Sequence, residues 1–135
     1  MTRRPVRTIV AALTGALAIT TLTGALASAS HLPREACSPS GDVCKSVRKV
    51  DGVRRLRISL AAEYFERYRL CVSGPEDVAT CHRYRIRDLG ASFGSTIAWR
   101  ANFPFAGSGA YTVVWKLIGG GRIGRALGFH VHAGT

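Results

Sequence analysis

From residue 30 onward, apolar and polar residues alternate with a period of two, and turn residues interrupt the alternation about every ten positions. The clearest run is 54–60, where Leu56, Ile58 and Leu60 fall on one face. Such alternation is typical of β-strands that bury one face. About seven short strands without a long amphipathic helix predict an all-β, antiparallel sandwich. The predicted strands are 43–50, 54–60, 67–72, 80–87, 95–103, 110–118 and 125–131.

The connections between these runs carry residues that favour turns. Asp51-Gly52 and residues 73–77 are turn signals, and Gly119-Gly120-Gly121 is predicted to turn the last hairpin. Residues 61–66 fit either one helical turn or a wide loop, and Phe103-Pro104-Phe105 is predicted as an exposed apolar loop. The inward positions of the later strands are predicted to be Tyr68, Leu70, Val72, Tyr84, Ile86, Leu127, Phe129 and Val131. Ile97, Trp99 and Ala101 are predicted to share one face, and 110–118 is apolar on both faces (Tyr111, Val113 and Trp115 against Val114 and Ile118), as in a central strand.

The run Ser108-Gly109-Ala110-Tyr111-Thr112-Val113 resembles the corner and following strand of immunoglobulin-like domains. The resemblance implies that the hydroxyl of Tyr111 bonds back to the backbone across the corner. Val113 stands where that family usually has a cysteine, and the third strand has no tryptophan, so the resemblance is to the fibronectin-like branch. The stretch from Asn102 to Trp115, with Leu127-Gly128-Phe129-His130-Val131, also resembles small secreted actinobacterial domains of unassigned function. Neither resemblance implies a catalytic residue, because this fold hosts unrelated activities.

The N-terminal segment has a different pattern. Three arginines in the first seven residues precede twenty uncharged residues, and small residues follow up to Ala27 and Ala29. A basic start, an apolar centre and small residues before the cleavage point are typical of an export signal. We therefore predict a signal peptide at 1–29 and a β-sandwich domain at 30–135, with cleavage after either alanine.

Two alternatives concern the route and fate of this segment. Twenty uncharged residues just reach the length of a membrane-spanning helix, so the alternative to cleavage is an uncleaved anchor. Arg3-Arg4 also resembles a twin-arginine signal, but Val6 and Arg7 depart from that pattern, and we expect general secretory export. The protein is thus expected to be secreted or associated with the cell envelope, with a membrane contact only through an uncleaved signal.

The net charge and the cysteines of the mature chain indicate its partners and its covalent cross-links. Cleavage after Ala29 leaves 106 residues with a net charge of +8, since three of the 19 basic residues and none of the eight acidic ones precede it. Such a balance favours anionic partners. The four cysteines, all in this part, are Cys37, Cys44, Cys71 and Cys81. An even count in a short exported chain predicts two disulfides rather than zinc, because no C-x2-C pair occurs.

Four cysteines allow three connectivities, of which we favour two short closures. Cys37–Cys44 would close a turn, and Cys71–Cys81 would close a hairpin. The second bridge would place Arg69 opposite Arg83 on the outer face. The predicted anion-binding residues on this face are Arg67, Arg69, Arg83 and Arg85, extended by Arg87, and by Arg55 and Arg57 if their strand is a neighbour.

The arginines allow two interpretations. Like charges directly opposite each other in a sheet are destabilising, and an anion bridging the guanidinium groups would relieve that cost. The alternative is a solvated face, neutralised by Glu63, Glu66 or Asp88. Because the tyrosines of the hairpin share the inward face, stacking on the bases of nucleic acid is disfavoured.

His130 and His132 fall on one face of the last predicted strand. They would bind copper or zinc if a third ligand, such as His82 or His31, came from a neighbouring strand. No catalytic motif or acid–base pair is apparent, so we do not expect an enzyme, and we expect no cofactor.

These observations lead to one hypothesis and two alternatives. The hypothesis is a secreted, monomeric, non-catalytic module that binds anionic wall polymer through its arginine-rich face. One alternative is a structural or inhibitor-like domain that presents the loop around Phe103-Pro104-Phe105 to an extracellular protein. The other is a metal-binding protein that uses His130 and His132.

Overall fold

A computed structural model describes residues 32–134 of the chain, so the predicted signal peptide and His31 lie outside the described residues. Residues 32–134 form nine β-strands and one helix of four residues, α1. The elements are β1 (Glu35–Cys37), β2 (Val43–Val50), β3 (Val53–Leu60), β4 (Arg67–Ser73), β5 (Ala79–Arg85), β6 (Arg87–Asp88), β7 (Phe93–Ala98), α1 (Trp99–Asn102), β8 (Gly109–Leu117) and β9 (Leu127–Val131).

The strands form two antiparallel sheets. One has five strands in the order β1-β2-β3-β7-β6, and the other has four in the order β5-β4-β8-β9. The predicted all-β sandwich is thus confirmed. Each of the seven predicted strands has a counterpart, and β1 and β6 are additional strands of three and two residues. Because β3 and β4 belong to different sheets, the chain crosses between the sheets in the loop 61–66, which contains no helix.

Inward-facing side chains from both sheets form one core. On β3 these are Leu56, Ile58 and Leu60, as the alternation predicts. The hydroxyl of Tyr68 on β4 donates a hydrogen bond to Ser95 Oγ on β7 at 2.8 Å, which ties the two sheets together. Burial raises the pKa of Tyr68 to about 12. The buried core residues are Val47, Leu56, Ile58, Leu60, Tyr68, Leu70, Val72, Ile86, Trp99, Phe103, Tyr111, Val113, Trp115, Ile123, Leu127, Phe129 and Val131.

Tyr111 makes the corner contacts that its sequence context implies. Its hydroxyl donates to the carbonyl of Gly107 at 2.7 Å and accepts from the backbone N–H of Ala106 at 3.0 Å. Its ring stacks on Phe129, with centroids 5.1 Å apart. Gly109 has a φ of +134°, and a Cβ there would lie 2.7 Å from Cγ of Pro75, so this corner requires glycine.

The predicted strand 95–103 is only half correct. β7 ends at Ala98, and the next four residues form α1, in which the N–H of Phe103 donates to the carbonyl of Trp99 at 2.8 Å. Residues four apart on a helix share one face, so Trp99 and Phe103 both enter the core while Ala101 is exposed. The prediction that Ala101 shares one strand face with Trp99 is therefore wrong.

The loop that follows α1 is less exposed than the sequence indicates. Phe103 is buried, and its ring lies 5.1 Å from that of His82. Only Phe105 presents a large exposed apolar ring, and the guanidinium of Arg100 lies 4.2 Å from its centroid. The prediction of Phe103-Pro104-Phe105 as an exposed apolar loop is therefore wrong at its first residue.

The connection before β9 is longer than a tight hairpin. A single β-bridge joins Lys116 to Arg122, and the glycines 119–121 turn the chain between them. The N–H of Ile123 then donates to the carbonyl of Trp115 at 2.8 Å, which places Ile123 in the core. β9 consequently begins at Leu127, two residues later than predicted.

Both predicted disulfides are present. Cys37 bonds to Cys44 and Cys71 to Cys81, and the Cα atoms of the two pairs are 4.0 and 4.1 Å apart. Each bridge joins directly opposed residues of two neighbouring strands. Two such bridges fit an oxidising, extracellular environment. Within residues 32–134, no helix has the length and apolar character that a membrane crossing requires.

Candidate anion-binding face

The hairpin of β4 and β5 has the predicted register. Arg67 lies opposite Arg85, Arg69 opposite Arg83, and Cys71 opposite Cys81. The intervening pair, Tyr68 and Tyr84, points to the other side, where the two rings lie 5.8 Å apart. Tyr68 is fully buried and Tyr84 half-buried, whereas Arg67, Arg83 and Arg85 are exposed. The outer face of this hairpin therefore carries four arginines.

Two further cations extend this face across the sheet. Lys116 on β8 lies directly opposite Arg69, and Arg122 forms the β-bridge to Lys116. Directly opposed residues of neighbouring strands share one face of a sheet. Arg83, Arg69, Lys116 and Arg122 thus form one line across the strands, which we call the cation row. With about 4.8 Å between neighbouring strands, the row spans about 14 Å at the backbone.

Lys116 and Arg122 are not among the residues that the sequence predicts for this face. The outward position of Lys116 follows from the alternation of β8, since its neighbour Trp115 is inward. That β8 lies beside β4 depends on long-range pairing, however, and no local pattern specifies this neighbour. The β-bridge of Arg122 arises in the irregular connection before β9, which period-two alternation does not describe.

Acidic neighbours distinguish the cation row from the adjacent pair. Glu66 forms an ion pair with Arg85, and its Oε1 lies 4.0 Å from Nε of Arg67. Of the three acidic residues that the sequence suggests as neutralising groups, Glu66 therefore takes that position. In the part of the chain that the structure describes, no carboxylate forms an ion pair with any member of the cation row. Within the described residues, the row is consequently a line of four positive charges without an ion-pair partner.

Three of the predicted arginines lie elsewhere. Arg55 and Arg57 are on the outer face of β3, which belongs to the five-stranded sheet, and therefore face the opposite side of the sandwich. Arg87 pairs with Gly94 in that same sheet, because the chain changes sheets at the buried Ile86. The prediction that Arg55 and Arg57 enlarge the arginine row is therefore wrong, because β3 is not a neighbour of the hairpin. Arg87 still lines a groove together with Arg85, although its strand pairs in the other sheet.

The opposite side has its own basic groove. It has a volume of about 480 Å³ and includes Arg55 and Arg57 together with Arg48. Arg48 lies opposite Arg55 but forms an ion pair with Glu35. Arg57 lies between Ser46 and Thr96, which are uncharged. This groove contains fewer directly opposed cations than the cation row does.

The histidines do not assemble with the proposed third ligand. His130 is exposed on β9, and its ring centroid lies 4.8 Å from that of His132. His82 is on β5, at the other edge of the four-stranded sheet, and contacts Phe103. His82 is therefore wrong as the third ligand, because three strand spacings separate it from β9. Among residues 32–134, no group of three His, Cys, Asp or Glu side chains is placed to hold a metal ion.

The chemistry available on the four-stranded sheet is anion recognition. Guanidinium groups bind phosphate, sulfate and carboxylate oxygens through two parallel hydrogen bonds, and the lysine ammonium adds a point charge. A line of such groups fits an anion that repeats along a polymer. Comparison with protein-family models, curated proteins and solved structures finds no match for this chain.

Proposed function

We propose that this chain is an exported, non-catalytic module that binds an anionic polymer of the cell envelope through the cation row. The observation that carries the proposal is the register of Arg83, Arg69 and Lys116, three directly opposed cations without a carboxylate partner in the described residues. Arg122 continues this line.

The energetics favour an anionic occupant. Each like-charged pair of direct neighbours in a sheet is destabilising by about 0.2–1 kcal/mol. A polymer that carries a negative group every few ångströms would turn these repulsions into attractions and release its own counterions. A surface that is only exposed to solvent does not require several positive charges on directly opposed strand positions.

The inward orientation of the hairpin tyrosines favours polymers without bases over nucleic acid. Proteins that bind single-stranded nucleic acid place aromatic rings among their cations, where bases stack. Here Tyr68 and Tyr84 lie on the inner face of the hairpin. Polymers of phosphate, sulfate or carboxylate groups without bases therefore suit the cation row better than nucleic acid does.

Two features support export. The N-terminal segment has the pattern of a signal peptide, and the disulfides Cys37–Cys44 and Cys71–Cys81 are bonds that persist outside the cytoplasm. We propose that the protein acts as a monomer at the cell envelope or in the medium.

The test compares two triple variants with equal charge loss. Protein secreted by an exporting host is applied to immobilised heparin and to immobilised anionic wall polymer, and the salt concentration at elution is measured. R69Q/R83Q/K116Q is expected to elute at clearly lower salt than the native protein. R48Q/R55Q/R57Q, on the opposite sheet, is expected to elute close to the native protein. Equal losses in the two variants would show that net charge alone controls binding, and the proposal would be rejected.

A further inference from the structure

A second cleft lies at the edge of the sandwich, and none of its lining residues belongs to the cation row. It has a volume of about 420 Å³ and lies between the hairpin of β1 and β2 and residues 123–125 before β9. This volume is within the range of small-molecule pockets, about 300–1,000 Å³. Its walls are largely apolar and include Ala36, Pro39, Val43 and Ile123.

The polar end of this cleft is a buried lysine. Lys45 lies on β2 at an inward position and is 3 % exposed, although it carries an ammonium group. Its Nζ donates a hydrogen bond to the carbonyl of Arg125 and lies 5.4 Å from the ring centroid of Trp115. A Cβ at Gly124 would come within 3.1 Å of Nζ, so the glycine leaves room for the ammonium.

Within residues 32–134, no carboxylate forms an ion pair with Lys45. Burial, with a smaller contribution from the positive charge of Arg125, lowers the pKa of Lys45 to about 8. Its direct strand neighbours, Ala36 and Ile58, are uncharged. An ammonium has three donors, and within residues 32–134 the carbonyl of Arg125 is the one acceptor that the structure gives it. Lys45 and Arg125 thus lie at one end of an apolar cleft without an ion-pair partner among residues 32–134.

We propose that this cleft binds a small amphiphilic carboxylate, with the carboxylate between Lys45 Nζ and the guanidinium of Arg125 and the hydrocarbon part against the apolar walls. The carboxylate supplies the acceptors and the negative charge that the two cations lack, and the hydrocarbon covers apolar surface. The cleft and the cation row share no residue, although Arg122 of the row directly precedes Ile123 of the cleft.

The test is a calorimetric titration of the full exported protein with decanoate at pH about 8, near the pKa of Lys45. Saturable binding of one decanoate per chain is expected, and decanol, which has the same chain length without the charge, is expected to bind at least about tenfold more weakly. Lys45→Met is expected to weaken decanoate binding by about 10- to 100-fold. Lys49→Met, which removes an exposed lysine of the same strand, is the matched control and is expected to bind as the native protein does.

A second measurement uses the native protein, so its outcome does not depend on whether the Lys45→Met variant folds. A carboxylate beside Lys45 raises the pKa of its ammonium, so binding near pH 8 is accompanied by proton uptake. The uptake appears as a dependence of the binding enthalpy on the ionisation enthalpy of the buffer, and it disappears near pH 6. Absence of saturable decanoate binding, equal binding of decanol, or binding at pH 8 without proton uptake would each overturn the inference.

Discussion

Arg69 and Lys116 lie directly opposite each other on β4 and β8, so two positive charges are neighbours on the outer face of one sheet. Arg83 on the other side of Arg69 repeats the relationship. Since the described part of the chain gives these three residues no ion-pair partner, the sheet has like charges where opposite charges would stabilise it. This arrangement has consequences for stability as well as for binding.

The stability of the protein should increase with salt more strongly than its net charge alone explains. Salt screens repulsion between exposed charges, and the row places its charges at about one strand spacing. At low salt, Arg69→Gln is expected to raise the free energy of unfolding by about 0.5–2 kcal/mol, because it removes two repulsive pairs. Urea unfolding at low and high salt measures the effect.

Arg57→Gln is the matched control for this experiment. It removes the same charge from the outer face of the opposite sheet, where Arg57 lies between Ser46 and Thr96. We expect its stability to change by less than about 0.5 kcal/mol at either salt concentration. If Arg57→Gln raised the free energy of unfolding as much as Arg69→Gln does, net charge would explain the effect. The direct opposition of Arg69 to its cationic neighbours would then not matter.

The two disulfides should differ in their effect on binding but not in their effect on stability. Replacing either pair with alanines is expected to lower the free energy of unfolding by about 2–3 kcal/mol, because both bridges close short loops. The Cys71–Cys81 bridge lies beside the pair Arg69 and Arg83, whereas Cys37–Cys44 lies in the other sheet. Only the C71A/C81A variant should therefore bind heparin more weakly. Equal heparin binding by the two double variants, at a temperature where both are folded, would contradict this prediction.

Tyr111 should contribute to stability through its hydroxyl. Tyr111→Phe removes the acceptor of the Ala106 N–H and the donor to the carbonyl of Gly107. Since both groups are partly buried, we expect a loss of about 1–3 kcal/mol in denaturant unfolding. Tyr84→Phe, at a half-buried ring whose hydroxyl forms no hydrogen bond within residues 32–134, is the control and should change stability by less than about 0.5 kcal/mol. A similar small change for Tyr111→Phe would show that the corner bonds are replaced by water.

Lys45 should make stability depend on pH in the alkaline range. Its pKa is about 8 in the folded protein, against 10.5 for a fully solvated lysine side chain, so between these values the unfolded chain binds more protons. The cost of the buried charge is therefore fully present below pH 8 and is lost as the pH rises towards 10.5. Relative to Lys45→Met, the native protein should gain up to about 1.4 kcal/mol per pH unit in this interval. If the difference in free energy of unfolding between the native protein and Lys45→Met stayed constant from pH about 7 to about 10, the burial of the Lys45 ammonium would be contradicted.

The sequence of the β4–β5 hairpin was sufficient to predict its register, but it did not predict which strand lies beside β4. The Cys71–Cys81 bridge and the alternation around Tyr68 specify the register of β4 and β5, because one covalent link and a period of two leave a single arrangement. The position of Lys116 beside Arg69 depends on which strand is placed next to β4. That choice is made by packing between residues far apart in the chain, and it leaves no local pattern.

The change from strand to helix at Trp99 illustrates a second limit. Residues Ile97 and Trp99 fit a period of two, and the buried Phe103 fits a period of four from Trp99. Short apolar runs satisfy both periods, so tertiary packing decides between them. The same packing draws Phe103 inward and removes most of the apolar surface that the sequence assigns to this loop.

The salt dependence of polymer binding tests the central role of the cation row most directly. Each cation that contacts a flexible polyanion contributes about 0.7 to the slope of log affinity against log salt concentration. R69Q/R83Q/K116Q is therefore expected to reduce the slope for an anionic wall polymer by about 2, while R48Q/R55Q/R57Q leaves it close to the native value. Equal slopes for the two triple variants would contradict the assignment of binding to this face.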